Sequence, residues 1–545
     1  MKKNYLSILI FFISLSIFSQ EKISNTQNWK DENFEKTGIY GVGTNDALQF
    51  LKSKGIKPTK ITVAVLDSGV EIDHEDLKAN IWINPREKAK NKKDDDKNGY
   101  IDDINGWDFI GGKDGQDVDI DTYEMTRIVA EYEKLFEGNN SNKNTMPEKY
   151  TLYKTALEAY DKKKTEDTEN AQNYYQYKNV YPVMLDDVAE ITGENKLTKE
   201  YLSSLSIINE KTRRFVNYLI ESNETANYTA AEYKNKVLDE LNEVINHLEE
   251  STRYQLNKNF DPRPTIGDNY NDKKEKYYGN NEVEGPDANH GTHVAGIIAA
   301  DRKNGKGVNG IAGDVAKILV VRTVPNGDER DKDVANAIRY AADNGAKIMN
   351  MSFGKDYSPE KEIVWEAIAY ADNKGILMFH AAGNDNKNVD IEPNFPTNFK
   401  NNTAFTKNWI TVGASTIDPK KLRANFSNFG KTKVDIFAPG KDIYSTITNG
   451  MYKENSGTSM ASPVAAGCAA LLWAYFPKLT SKQVKDILFS TVNKSDIEVE
   501  VGEENLDMGI KSETKKFSEL SSTGGVIDVF KAVKMAYEIT KKGKK

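Results

Sequence analysis

The sequence predicts an α/β fold, a mainly parallel sheet flanked by helices, with an all-α subdomain inserted into it. Three observations carry this. First, β-branched apolar runs recur at 61–67 (ITVAVLD), 317–324 (KILVVRTV), 347–353 (KIMNMSF), 376–383 (ILMFHAAG), 409–415 (WITVGAS) and 433–439 (KVDIFAP). Second, helical patterns at 292–301, 331–344 and 359–374 lie between several of them, and parallel neighbours need such crossovers. Third, the stretch 115–285 is crowded with Lys, Glu, Asp, Asn and Tyr and has few strand signals.

Taken in chain order, Lys2 and Lys3 precede a mostly apolar Tyr5–Phe18 and a cleavage point at Ser19-Gln20, which reads as a signal peptide over 1–19. That run is shorter than the roughly 20 residues a membrane span needs. The expectation is an exported protein, periplasmic or extracellular, with no stable membrane span after signal removal. The α/β domain is expected over 20–114 and 286–495, the helical insertion over 115–285, and a C-terminal extension over 496–545 that ends in a frayed KKGKK. Within the insertion, helical spacing appears at 124–137, 147–164, 198–221 and 229–255, and Leu238, Leu241, Val244, Ile245 and Leu248 make one apolar stripe. Two more helices, 458–475 and 480–491, close the α/β domain. A chain of 545 residues has room for two domains, and its net charge of −8 gives no case for nucleic acid. The single cysteine, Cys468, excludes an internal disulfide and reads as a small buried residue.

Four motifs carry chemistry. SGTSMASPVAAG at 456–467 places Ser459 on a tight turn at the start of an apolar helix, whose N-terminus adds partial positive charge. HGTHVAG at 290–296 sets His290 at a glycine-rich helix start, VAVLDSGV at 63–70 ends a buried strand on Asp67, and AAGN at 381–384 supplies Asn384. A serine hydroxyl is a poor nucleophile until an imidazole takes its proton, and a carboxylate fixes that imidazole's tautomer. Asp67, His290 and Ser459 are the parts of such a triad. The Asn384 amide and the Ser459 backbone N–H can donate to an oxygen that turns negative during acyl transfer. Each motif alone has a plainer reading, as a turn or a structural histidine; together and in order they point to one site. His293 reads as a packing residue.

These motifs resemble those of subtilisin-family (subtilase) serine endopeptidases, over about 40–110 and 286–495. The resemblance implies a secreted serine endopeptidase that hydrolyses peptide bonds of protein or peptide substrates through an acyl-enzyme, with Asp67, His290 and Ser459 as triad and Asn384 at the oxyanion position. It further implies that Ser352, Phe353 and Gly354 pair with substrate backbone and wall the primary pocket, with Ala381, Ala382 and Gly383 as the opposite wall. Phe353 replaces a frequent leucine, and the expected preference is apolar or aromatic. Two departures stand out. The gap between Asp67 and His290 is much longer than in compact members, so the insertion is placed to contact substrate or a partner. GIYGVGTNDALQFLKSKG at 38–55 resembles the start of a mature domain, so the insertion is expected to take part of the role of a propeptide. The rival readings are a non-catalytic binding protein on the same scaffold and a peptide-joining enzyme with the same intermediate.

DDDKNGYIDD at 94–103 alternates oxygen ligands around a glycine turn. Asp94, Asp96, Asn98, the Tyr100 carbonyl, Asp102 and Asp103 suit Ca²⁺, as in the first half of an EF-hand loop; a solvated acidic loop is the alternative. By resemblance, Asp76 matches a family calcium ligand, with Asn304 in the loop facing it.

Overall fold

The structure, a computed structural model, describes residues 26–138, 140–222, 225–502 and 512–542. The expected signal peptide lies outside the described residues. The chain divides into two compact units, one holding 157–257 and the other 25–156 with 258–545.

The second unit is built on a nine-stranded sheet. Its strands run in the order Asn493–Lys494, Gly525–Val526, Ile436–Pro439, Trp409–Ser415, Leu377–Ala381, Ile348–Met351, Ile61–Asp67, Ala316–Arg322 and Gly106–Asp108. All neighbours are parallel except the pair Asn493–Lys494 and Gly525–Val526. Alternation along each strand feeds two cores. Val63 and Val65 join one apolar cluster with the helices Asn289–Ala299 and Thr458–Tyr475; Ala64 and Leu66 join another with the helices Asp331–Asp343 and Lys361–Asn373. With both faces covered, the strands are apolar on both sides, which is why they read as continuous runs. From Ala316–Arg322 the chain crosses to Ile348–Met351 on the far side of Ile61–Asp67, so the strand order reverses at the strand that ends on Asp67. Open α/β sheets leave a crevice at the C-terminal end of such a reversal.

The sheet continues beyond residue 495. Gly525–Val526 pairs with Ile436–Pro439, and Ile527, followed by Val529, Ala532, Val533 and Ala536 of the helix Val529–Lys542, enters the first core. Parts of the segment 115–285 also belong to this unit. The helix Glu124–Phe136 and the 3-10 turn Arg263–Thr265 lie in it, and Ile120 bridges Asn326.

In the other unit, Leu185, Val188, Leu197, Phe215, Val216, Leu219 and Tyr233 share one apolar cluster. The helix expected at 147–164 runs on as Pro147–Thr192, with Pro182 inside it, and no glycine occurs before Gly193 to end it. The helix expected at 198–221 is broken into Lys199–Ser203 and Glu210–Ser222. Asn209 accepts from the Lys211 and Thr212 amides and so starts the second piece. No helix among the described residues is long and apolar enough to cross a membrane.

Candidate active site

Asp67 lies at the C-terminal end of its strand, with 2% of its surface exposed. Its Oδ1 accepts from the Ser68 amide at 2.8 Å and stands 2.6 Å from His290 Nδ1. The His290 ring is the second residue of the helix Asn289–Ala299, and its side chain keeps 41% of its surface open. Gly291 makes this approach possible, because a Cβ there would lie 2.0 Å from the Gly69 carbonyl oxygen and 3.2 Å from the Asp67 Cβ. Desolvation pulls the His290 pKa down, but the charge and hydrogen bond of Asp67 outweigh it and hold the imidazole above its ordinary value.

Ser459 is the second residue of the helix Thr458–Tyr475. Its hydroxyl donates to the Ser352 carbonyl at 3.0 Å, while the Ser352 hydroxyl donates to the Ser459 carbonyl at 2.8 Å. Pro463 explains the second bond. Having no N–H, it leaves the carbonyl four residues back, that of Ser459, without its helical partner. A buried relay supports Ser352: Ser462 Oγ donates to Asn350 Oδ1 at 2.7 Å, and Asn350 Nδ2 donates to Ser352 Oγ at 2.9 Å. In this rotamer the Ser459 hydroxyl is turned to Ser352 and makes no hydrogen bond to His290.

Asn384 Oδ1 accepts from the Thr458 amide at 2.8 Å and from the Thr458 hydroxyl at 2.9 Å. That orientation turns Nδ2 away from Thr458. A Cβ placed on Gly457 would lie 3.6 Å from Asn384 Nδ2 and 3.6 Å from the Ser459 amide nitrogen, so the two flank one small space.

The two predicted walls face each other across Asn394. Its Nδ2 donates to the Ala382 carbonyl at 2.9 Å and reaches the Ala381 carbonyl at 3.4 Å, while a Cβ on Gly354 would meet its Oδ1 at 2.8 Å. Phe353 is turned inward, into the core shared with Met351 and Val364. Gly383 follows Ala382 at the end of that wall, and its amide donates to Thr458 Oγ1 at 3.1 Å.

The chain matches the model of the subtilase family over residues 59–509. It belongs to the subtilase family. It is 46% identical over 185 residues to the thermophilic serine proteinase of Bacillus sp. (strain AK1), covering 34% of this chain and 42% of that one. It is 38% identical over 309 residues to the cell wall-associated protease of Bacillus subtilis (strain 168), covering 56% and 32%. With the thermitase of Thermoactinomyces vulgaris it shares 41% over 184 residues, covering 34% and 60%. The chain thus spans less than two thirds of the length of each of these relatives.

Other histidines of this subtilase serve the fold. His293 Nε2 bonds the Lys453 carbonyl at 3.0 Å, and burial brings its pKa down to about 4. Burial likewise lowers His380 to about 4. Cys468 is buried, and burial pushes its thiol pKa up.

The acidic loop converges in part. Asp96 and Asp103 present carboxylate oxygens within 4.8 Å of one another and of Glu87, a residue the sequence reading missed. Glu87 Oε2 is buried without a hydrogen-bond donor. Burial, with Asp96 nearby, pushes Asp103 up to about 6 against hydrogen bonds from Tyr340, Asn98 and Asn84. The side chains of other predicted ligands make contacts within and around the loop. Asp94 accepts from the Asn98 and Gly99 amides, and Asp102 from those of Asn91 and Lys92. Asn98 Nδ2 donates to Asp103, and the Tyr100 ring packs on Trp107 and Tyr340. Asp76 is separate: it accepts from Asn304 Nδ2 at 2.6 Å and the Val308 amide at 2.9 Å.

Sequence reasoning also missed Arg322, which sits beside Asp67 in register. It donates to the Ser68 carbonyl at 3.0 Å and to Asp108 at 2.8 Å. Its signal was a cation closing the apolar run at the C-terminal end of a strand.

Proposed function

We propose that this chain is an exported serine endopeptidase that hydrolyses protein or peptide substrates through an acyl-enzyme. The observation that carries the proposal is the 2.6 Å contact of Asp67 Oδ1 with His290 Nδ1, in a chain whose Ser459 amide and Asn384 amide flank one small space. Ser459 Oγ leaves the Ser352 carbonyl by rotation about χ1, gives its proton to His290 Nε2 and bonds the scissile carbonyl carbon. Asn384 Nδ2 and the Ser459 N–H receive the negative oxygen. The imidazolium, held by Asp67, then passes the proton to the leaving nitrogen as the C–N bond breaks, and water repeats the sequence on the ester. Ser352–Gly354 and Ala381–Gly383 hold the substrate, with the apolar or aromatic preference expected above. Export rests on the sequence of residues 1–19.

Glu87, Asp96 and Asp103 fit a hard cation, because all three offer oxygen and Glu87 Oε2 is buried without a donor. A Ca²⁺ held there would offset the carboxylate charge that Arg86, paired with Asp96 at 3.0 Å, leaves uncompensated, and brace the loop, with no part in the proton transfers. A fluorophosphonate probe tests the enzymatic reading: it labels the wild type and leaves Ser459→Ala unlabelled. Cleavage of a denatured protein mixture gives many cuts with wild type and none with the variant. Labelling that persists in Ser459→Ala overturns the assignment.

A further inference from the structure

We infer that Asn428 is a positioning residue for the oxyanion donor, acting on Asn384 from both sides through the backbone. The inference rests on the reading of Asn384 given above. Asn384 lies on the connection that leaves the strand Leu377–Ala381, and its side chain is exposed. A donor on such a connection lowers a barrier only if it is already in place when charge develops, since a loop that must reorganise gives back the electrostatic gain.

Among the side chains that hold the loop, one buried side chain reaches it on both sides of Asn384. Asn428 is 1% exposed. Its Oδ1 accepts from the Asp385 amide at 3.0 Å and the Lys387 amide at 2.8 Å, on the C-terminal side of Asn384. Its Nδ2 donates to the Ala382 carbonyl at 2.9 Å, on the N-terminal side. Its own backbone N–H donates to the Gly383 carbonyl at 2.9 Å. With a longer contact of Nδ2 to Asp385 Oδ2 at 3.4 Å, five hydrogen bonds therefore reach residues 382, 383, 385 and 387 and skip only the donor itself and Asn386. Gly383 has φ +99°, and a Cβ there would lie 2.3 Å from Asn428 Nδ2, so the glycine is what lets the amide enter the turn.

Asn428 is itself fixed. The Ser427 hydroxyl donates to the Asn428 carbonyl at 2.9 Å and accepts from the Ala414 amide of the central strand Trp409–Ser415 at 2.9 Å. Backbone bonds on either side tie the two segments: Asn386 N–H to the Phe426 carbonyl, Phe429 N–H to the Lys387 carbonyl, and Val389 N–H to the Phe429 carbonyl. The rigid sheet thus reaches Asn384 through Asn428, while Thr458 orients the Asn384 amide from the serine side. Only a side chain with both an acceptor and a donor at this reach satisfies the two sides of the loop, which makes asparagine the fitting residue.

The test is a double-variant cycle of Asn384→Ala and Asn428→Ala, with kcat counted per site titrated by fluorophosphonate and the melting temperature recorded. Losing an oxyanion donor costs about 10²–10³ in kcat, a range measured on a subtilisin. The expected result is a loss of about 10-fold or more in kcat per titrated site for Asn428→Ala. Its KM is expected to stay nearly unchanged, and the double variant to be no slower than Asn384→Ala alone. If Asn428→Ala does not fold, Asn428→Ser, which keeps the backbone bond to Gly383, takes its place. An unchanged kcat per titrated site, even with a lower melting temperature, overturns the inference, as do losses that multiply in the double variant. If Asn384→Ala alone keeps full kcat, the reading of Asn384 fails first, and that outcome is visible before Asn428 is touched.

Discussion

At the residue scale, the His290 imidazole is governed by Asp67. Because its pKa in the folded protein is raised, it stays protonated to higher pH than a free histidine, and the neutral form that the proposed mechanism needs to take the Ser459 proton predominates only above that value. The acidic limb of kcat/KM is therefore expected at higher pH than an unperturbed histidine would give. Asp67→Asn is expected to shift that limb to lower pH and to lower kcat by about 10⁴, as pH profiles of the two enzymes will show. The linked stability term has the matching sign: it is present in full below the unfolded pKa and is lost as pH rises through the folded one. The motif residues were legible because each needs small neighbours in the contiguous chain, such as Gly291 beside His290. Asn350, Asn394 and Asn428 were not, because their partners come from distant segments and no spacing announces them.

At the element scale, the proposed pocket wall that ends on Gly354 is fastened by the next residue. Lys355 is buried, and its Nζ lies 2.7 Å from Glu124 Oε2, 2.7 Å from the Glu329 carbonyl and 2.9 Å from Asp331 Oδ1. Glu124 begins the helix Glu124–Phe136. Against its desolvation, Arg127 and Lys355 hold its carboxyl down to about 2. Glu124→Gln removes one of the carboxylates on the buried Lys355 ammonium and leaves Asp331, at a cost of about 1.5–3 kcal/mol, so a lower melting temperature is expected together with a raised KM. A depressed carboxyl pKa stabilises above the unfolded value and loses that contribution as pH falls, so the difference between wild type and variant narrows toward pH 2. The acidic loop makes a second element-scale prediction. Ca²⁺ is expected to raise the melting temperature and a chelator to lower it, and Asp103→Asn to shrink that difference.

At the scale of the whole molecule, the stretch that interrupts the α/β domain is of two kinds. Residues 157–257 form a compact unit with its own apolar cluster. The flanks do not: Asp121 pairs with Arg330 at 2.7 Å, Glu124 with Lys355, and Arg263 with Asp333 in the sheet-bearing unit. Replacing 157–257 by a flexible linker is expected to leave a soluble protein that still labels with fluorophosphonate, whereas deleting 120–260 strips Arg330 and Lys355 of buried partners and is expected to abolish soluble folding. Yield and labelling of the two deletions check this. The C-terminal residues are no appendage either, since Val529 donates to the Val42 carbonyl and joins both ends of the described chain.

Strand runs, their helical spacers and the four motifs follow from the sequence alone, because periodic burial and tight turns are local demands that each segment must meet by itself. Long-range pairing decided the rest. It chose which carboxylates of the acidic loop meet Glu87, turned Asn394 between the two walls and set Asn428 behind Asn384. It also drew residues 525–542 into the sheet and its core. No local periodicity or turn announces such contacts, and several join distant segments, so their geometry exists only once the fold has brought the segments together.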